Sequence, residues 1–169
     1  MRLLANGVET TAVIEGSQSI DVKPRIEGYL QRIAFQPGQW VEEGTVLFEI
    51  DSREYRARLA QANATALAQQ ASLSNATTEL ARQEQLFAGQ ATTQRDLDRA
   101  RDAKSEAQAS VAAARAQAQG YALDVEFCTI KAPFSGRISR QTVDVGSYVS
   151  PSQTLGTLVN IDLPWNPSR

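Results

Sequence analysis

A chain of 169 residues, 42% hydrophobic and 21% charged, has room for one ordinary domain or for a small domain carrying an extended element. Its formal charge of −2 offers no basic field to a nucleic acid, and the lack of histidine removes His-based triads and the usual zinc centres. With Cys128 the single cysteine and Met1 the single methionine, neither a disulfide framework nor a methionine cluster for copper or silver can form.

Residues 8–15 are rich in threonine and branched side chains and read as a short strand, stopped by Gly16-Ser17. From Ile20 onward, apolar Ile20, Val22, Ile26, Leu30, Ile33 and Phe35 are interrupted by Pro24 and Gly28, the pattern of short strands. Pro37-Gly38 then supplies a turn, proline presetting φ and glycine accepting a positive one. A compact apolar strand over 46–50 ends at Asp51.

Asp51-Ser52-Arg53-Glu54 reads as a helix N-terminus with a glutamate three residues on, and no proline follows until Pro133. Leu59, Ala66, Leu73, Leu80 and Phe87 recur every seven residues, and Ala62, Gln69, Ala76 and Gln83 fill the complementary row. The segment Ala88-Gly89-Gln90-Ala91-Thr92 breaks the pattern, and Thr93 with Asp96 opens a second helix. There Leu97, Lys104, Val111, Ala118 and Val125 form one row and Ala100, Ala107, Ala114 and Tyr121 the other. Two helices, over about 52–88 and 93–126, are expected to fold back as an antiparallel coiled-coil hairpin. At 1.5 Å per residue the rod is on the order of 50 Å long. Gly120 costs its helix about 1 kcal/mol relative to alanine and reads as a tolerated exposed glycine. The cluster Asp96, Asp98, Arg99, Arg101 and Asp102 reads as a solvated helix face. Cys128, at an apolar strand entry, reads as a buried inert thiol, and Trp40 as packed over the β domain.

The segment after the hairpin repeats the one before it. Gly28 aligns with Gly136, Gly38 with Gly146, Val41 with Val149 and Leu47 with Leu155, all at the same offset of 108 positions. Each copy is a half-unit that cannot bury its apolar face alone, so the two halves are expected to pack together, with the helical insert projecting outward. This geometry suits a spacer or adaptor better than a catalyst. The expected organisation is a strand stub over 1–15, half 1 over 16–51, the hairpin over 52–127, half 2 over 128–162 and an irregular tail over 163–169. No apolar run reaches the roughly 20 residues that cross a bilayer, and Met1-Arg2-Leu3-Leu4-Ala5-Asn6 breaks before a secretory core forms. The expectation is a cytoplasmic protein, or a fragment of a longer one whose export signal lies elsewhere.

Pro24-Arg25-Ile26-Glu27-Gly28-Tyr29-Leu30, Gly38-Gln39-Trp40-Val41-Glu42-Glu43-Gly44, Leu47-Phe48-Glu49-Ile50-Asp51 and Ile130-Lys131-Ala132-Pro133-Phe134-Ser135-Gly136-Arg137-Ile138 together resemble the periplasmic adaptors, the HlyD-like membrane fusion proteins, of bacterial tripartite efflux pumps. The resemblance covers roughly residues 12–162. It implies an α+β fold: a lipoyl-like barrel-sandwich hybrid β domain split by a long antiparallel helical hairpin. It also implies a non-enzymatic adaptor without cofactor or metal, located in the periplasm and associated with the inner membrane in its full-length form. Its implied partners are an outer-membrane channel, an inner-membrane resistance-nodulation-division (RND) transporter and further copies of itself, in a ring that is usually hexameric. The transporter contact would fall to regions mostly missing from this chain.

A narrower pattern resembles adaptors of the RND class: Arg82, Leu86 four residues on, and Thr93 seven beyond that. The resemblance assigns these three, with Asp98 at a position where aspartate is frequent, to partner binding at the hairpin tip. On residue type alone, Arg82 is a solvated charge and Leu86 ordinary coil packing. Two rival readings are an adaptor of an ATP-driven exporter or type I secretion system, and a biotinyl or lipoyl carrier domain. The carrier needs a lysine in a tight turn between the halves, where this chain has its hairpin instead.

Overall fold

The computed structural model describes residues 18–160. Four strands, β1 (Gln18–Val22), β2 (Gly28–Ile33), β3 (Trp40–Val41) and β4 (Val46–Ile50), precede two helices, α1 (Arg53–Ala88) and α2 (Gln94–Phe127). Four more follow: β5 (Thr129–Lys131), β6 (Gly136–Ile138), β7 (Tyr148–Val149) and β8 (Gly156–Asn160). The strand expected over 8–15, the last two residues of half 2 and the tail over 163–169 lie outside the described residues.

The duplicated pattern folds into two four-stranded sheets, ordered β1-β8-β6-β3 and β5-β4-β2-β7. Each sheet takes strands from both halves. Gly28 stands opposite Val149, and its repeat counterpart Gly136 stands opposite Val41. The constant offset thus exchanges β2 with β6 and β3 with β7, and one sheet maps onto the other as an approximate two-fold. Alternation along the strands sends Leu30, Val41 and Val149 inward, at 2% exposure or less, while Tyr29, Trp40 and Tyr148 point outward. Leu47 and Leu155, equivalent in the repeat, are both fully buried with Phe48, Ile138 and Leu158. Each such side chain contributes about 1.5–3 kcal/mol by burial. The two turn glycines, Gly38 at φ 79° and Gly146 at φ 92°, occupy the left-handed region that their type tolerates. Trp40 departs from expectation: it is 47% exposed, because the outward position on β3 meets Arg137 across the ladder rather than a covering layer.

Between the halves, α1 and α2 pack as a hairpin of 36 and 34 residues. The seam is thin. Ala62 is the buried residue of α1, whereas α2 buries Leu97, Ala100, Val111, Ala114 and Ala118. The remaining seam positions of α1, from Leu59 to Gln83, are half-buried, and Phe87 leaves the seam beside the turn, 40% exposed. Arg115 Nη2 donates to Gln70 Oε1 across the arms at 2.8 Å. Gly120 faces open space, and α2 continues through it unbroken. Among the described residues no helix is long and apolar enough to cross a membrane.

The base of the rod is tied to the β module at both arms. Asp51 Oδ1 accepts from the Arg53 amide at 3.1 Å, while Ser52 makes no side-chain cap bond. Glu54 pairs with Arg58 one turn on rather than reaching back to close a capping box. Tyr55 Oη donates to the Glu27 carbonyl at 2.6 Å, and the Ile50 amide donates to the Cys128 carbonyl at 2.7 Å. Cys128 is 2% exposed and its Sγ lies 3.4 Å from the Asp124 carbonyl. Burial pushes its thiol above the ordinary range.

Candidate functional site

The hairpin tip is built by a helix stop, a five-residue turn and a helix start. At the end of α1 the Gly89 amide donates to the Gln85 carbonyl, Gln90 to Phe87 and Ala91 to Leu86. The left-handed residue of this stop is Gln90, at φ 59°, rather than the adjacent glycine. The start of α2 is capped by Thr93, whose Oγ1 accepts from the Asp96 amide at 3.2 Å and donates to Asp96 Oδ2 at 2.7 Å. Thr92 Oγ1 donates to Gln83 Oε1 at 2.9 Å, joining the turn to the first arm. Leu97, 3% exposed, anchors the second arm against it. These contacts hold the turn in one shape.

The four residues assigned to partner binding are distributed over this tip. Arg82 and Leu86 lie four apart on α1 and therefore share a stripe. Arg82 Nη1 meets Glu79 Oε2 at 2.6 Å, both side chains substantially exposed. A pair this open contributes about 0–1 kcal/mol, so the guanidinium can exchange Glu79 for another carboxylate at little cost. Leu86 is 37% exposed and sits beside Phe87 at 40%, which gives the tip two adjacent apolar knobs. The Thr93 hydroxyl is occupied by the cap. Asp98 accepts from Gln94 Nε2 at 2.8 Å and faces Arg101 at 3.7 Å. Among the described residues no hydrogen bond or ion pair joins Arg82, Thr93 and Asp98 to one another.

The arrangement offers exposed apolar contact and a guanidinium near the end of α1 and a carboxylate in the first turns of α2. The sequence reading missed Phe87 as a surface residue because heptad spacing assigned it to the seam. Its position one residue before the helix end was the signal available. Among the described residues no cluster of three or more His, Cys, Asp or Glu could hold a metal ion.

Comparison with known proteins bears on this architecture as a whole. The family model described as RND MFP, barrel-sandwich hybrid domain matches residues 18–161. Multidrug resistance protein MdtA of Proteus mirabilis is 35% identical over 137 residues, 81% of this chain and 33% of that protein. MdtA of Escherichia coli is 33% identical over 146 residues, 86% of this chain and 35% of that protein. The chain thus spans about a third of the length of these curated relatives. Among solved structures, ZneB from Cupriavidus metallidurans superposes with a TM-score of 0.61 at 25% identity, covering 85% of this chain and 61% of that one. The membrane fusion protein Spr0693 from Streptococcus pneumoniae gives 0.63 at 17% identity, over 86% of this chain and 66% of that one, a likeness of fold. A β module closed by two separated halves around a helical stalk, matched over its whole described length, makes this chain a member of the barrel-sandwich hybrid domain family of RND membrane fusion proteins.

Proposed function

We propose that this chain is the lipoyl-like and hairpin portion of a periplasmic adaptor in a tripartite multidrug efflux pump. In that role it links an inner-membrane RND transporter to an outer-membrane channel and assembles with copies of itself into a ring, a hexamer in the complete pump. The observation that carries the reading is the stalk: two arms of 36 and 34 residues, on the order of 50 Å long, ending in a rigid turn with exposed apolar and charged side chains. Such a rod spans distance and presents a small contact, which is what joining two membrane-bound machines requires. The names of the MdtA relatives support the pump class.

The tip contact belongs to Arg82, Leu86 and Asp98, with Thr93 serving chiefly to hold the start of α2. Each tip contact is small, so affinity comes from repetition around a ring rather than from one tight interface. Substrate passes without chemistry, and transporter docking falls to parts of the protein beyond this chain. The test is a cysteine at Leu86 in cells expressing the full-length protein with a candidate channel. A cross-link to the channel, lost on moving the cysteine to mid-stalk Ala76, is the expected result. Failure of every tip position to reach any outer-membrane channel, or co-purification with an ATP-driven exporter, defeats the reading.

A further inference from the structure

One cleft on the β module is left unused by the hairpin tip. It has a volume of about 310 Å³ and opens between β1 and β5, which are outermost in the orders β1-β8-β6-β3 and β5-β4-β2-β7. Among the described residues β1 pairs only with β8 and β5 only with β4, so each strand leaves a row of backbone N–H and C=O groups without a ladder partner. Val22, Ile130 and Phe127 give the cleft apolar walls, and Ile20 beside them is 43% exposed. Enclosure of this size is enough for a small molecule.

Three exposed cations, Lys23, Arg25 and Lys131, line the same cleft, among them two of the three lysines of the chain. Elsewhere Arg32, Arg53, Arg58 and Arg82 each meet a carboxylate, whereas among the described residues these three cations make no ion pair. The carboxylates of the cleft are Asp21, which accepts from Thr157 Oγ1 at 3.1 Å, and Glu126 in the last turn of α2. The two ends of the cleft therefore differ. At the α2 end, Glu126 and the negative pole of the helix oppose an anion, and Arg25 Cζ lies over the Phe127 ring, 5.1 Å from its centroid. Lys131 ends β5, four residues beyond Phe127, where the field of the helix terminus has fallen off. The exposed tyrosines offer no comparable site: Tyr29 and Tyr148 stand opposite each other in the β2–β7 ladder, edge to face at 5.2 Å, beside the ion pairs Asp51–Arg53 and Glu54–Arg58.

We propose that the cleft between β1 and β5 binds a small aromatic anion, an aryl carboxylate or sulfonate, with its ring against Arg25 and Phe127 and its acid group toward Lys23 and Lys131. A guanidinium stacks on aromatic faces. The lysines take the acid oxygens in charge-assisted hydrogen bonds, and the open strand edges add backbone donors. An alkyl chain has no planar face to set against Arg25, which favours the aryl class over a fatty one. The inference goes beyond the adaptor reading and does not depend on it.

The test compares two fluorescent probes at low salt: anilinonaphthalene sulfonate, and phenylnaphthylamine, the same rings without the acid. The sulfonate is expected to bind about five- to tenfold more tightly, and to lose that preference in ~1 M salt. Lys131→Gln and Lys23→Gln each weaken the sulfonate about two- to fivefold and leave the neutral probe unchanged, while Arg25→Gln weakens both probes. All three positions are exposed, and circular dichroism verifies that the fold is kept. Amide shifts on adding the sulfonate are expected at residues 21–25 and 129–131. Equal affinity for the two probes, indifference to both lysine variants, or shifts centred on the hairpin tip overturns the site. Displacement of the sulfonate by decanoate as readily as by naphthoate overturns the aryl class. Affinity that rises severalfold on removing residues 161–169 would make the chain's own end the occupant, and dissociation of self-associated chains by the probe would make it a second copy; either result overturns the proposal. The tip cross-link to a channel is read separately, so failure here leaves the adaptor reading standing.

Discussion

Gly136 is the position at which one methyl group most directly tests the closed β module. The Cβ of an alanine there would lie 2.5 Å from the Val159 carbonyl oxygen, 2.9 Å from its carbon and 3.2 Å from the Asn160 nitrogen. All three atoms are backbone of β8, which pairs with β6 through Arg137↔Val159 and Ile138↔Leu158. Relief requires prying β6 from β8 and shifting Ile138 and Leu158, both fully buried. At Gly28, the repeat counterpart, the added Cβ would meet Ile50 Cγ2 at 2.7 Å, the branch methyl of a stiff side chain that is itself 2% exposed. Overpacking costs about 1–3 kcal/mol; Gly136→Ala, against three backbone atoms, belongs at the upper end and Gly28→Ala, against one buried methyl, near the middle. At roughly 2–4 °C per kcal/mol for a chain of this size, Gly136→Ala lowers Tm by roughly 6–12 °C and Gly28→Ala by roughly 4–8 °C. Urea and thermal unfolding followed by Trp40 fluorescence, in a Trp165→Phe background that leaves one indole, reads the β module directly. A Gly136→Ala protein within about 0.5 kcal/mol of its parent would refute the cross-paired packing.

Three further outcomes are expected. Asp51 is held at about 2, first by side-chain and then by backbone hydrogen bonding to Arg53; its stabilisation is complete above the ordinary carboxylate value near 4 and lost as pH falls toward 2, so Asp51→Asn gives a shallower acid limb in stability against pH. Thr93→Ala removes the α2 cap at a cost of about 1 kcal/mol and speeds amide exchange over residues 94–97, whereas Thr93→Ser restores protection; unchanged exchange would remove the capping assignment. Cys128, buried and with its thiol raised, reacts with a thiol reagent at the rate of global unfolding, and fast labelling of native protein would contradict its placement.

That the two halves pack together was legible because the repeat kept glycine and buried aliphatic positions at one offset, so Val41 and Val149 could be matched before any strand was seen, while the exchange of strands between the two sheets was not. The seam was legible for the same kind of reason: Leu59, Leu73 and Leu80 keep the seven-residue spacing. The signal fails where covering depends on partners remote in sequence. Trp40 was assigned to the interior on hydrophobicity, yet its exposure follows from which way β3 points against β6. Tyr29 and Tyr148 carry no mutual signal, and the β2–β7 pairing alone makes them neighbours. Capping was read correctly at Thr93, whose hydroxyl and Asp96 are three residues apart, but the box expected at Glu54 gave way to Arg58, because an exposed glutamate takes whichever cation lies one turn away.

Among the described residues four of the six strand pairings join one half of the β module to the other, so the module closes only when the two ends of the insert are brought together. Closing the stretch from Ile50 to Thr129 as random coil would cost on the order of 4 kcal/mol in chain entropy. Once the arms have zipped through local, fast-forming contacts, their ends stand about one helix spacing apart, ~10 Å. The hairpin is thus first the clasp that brings the two halves of the β module together.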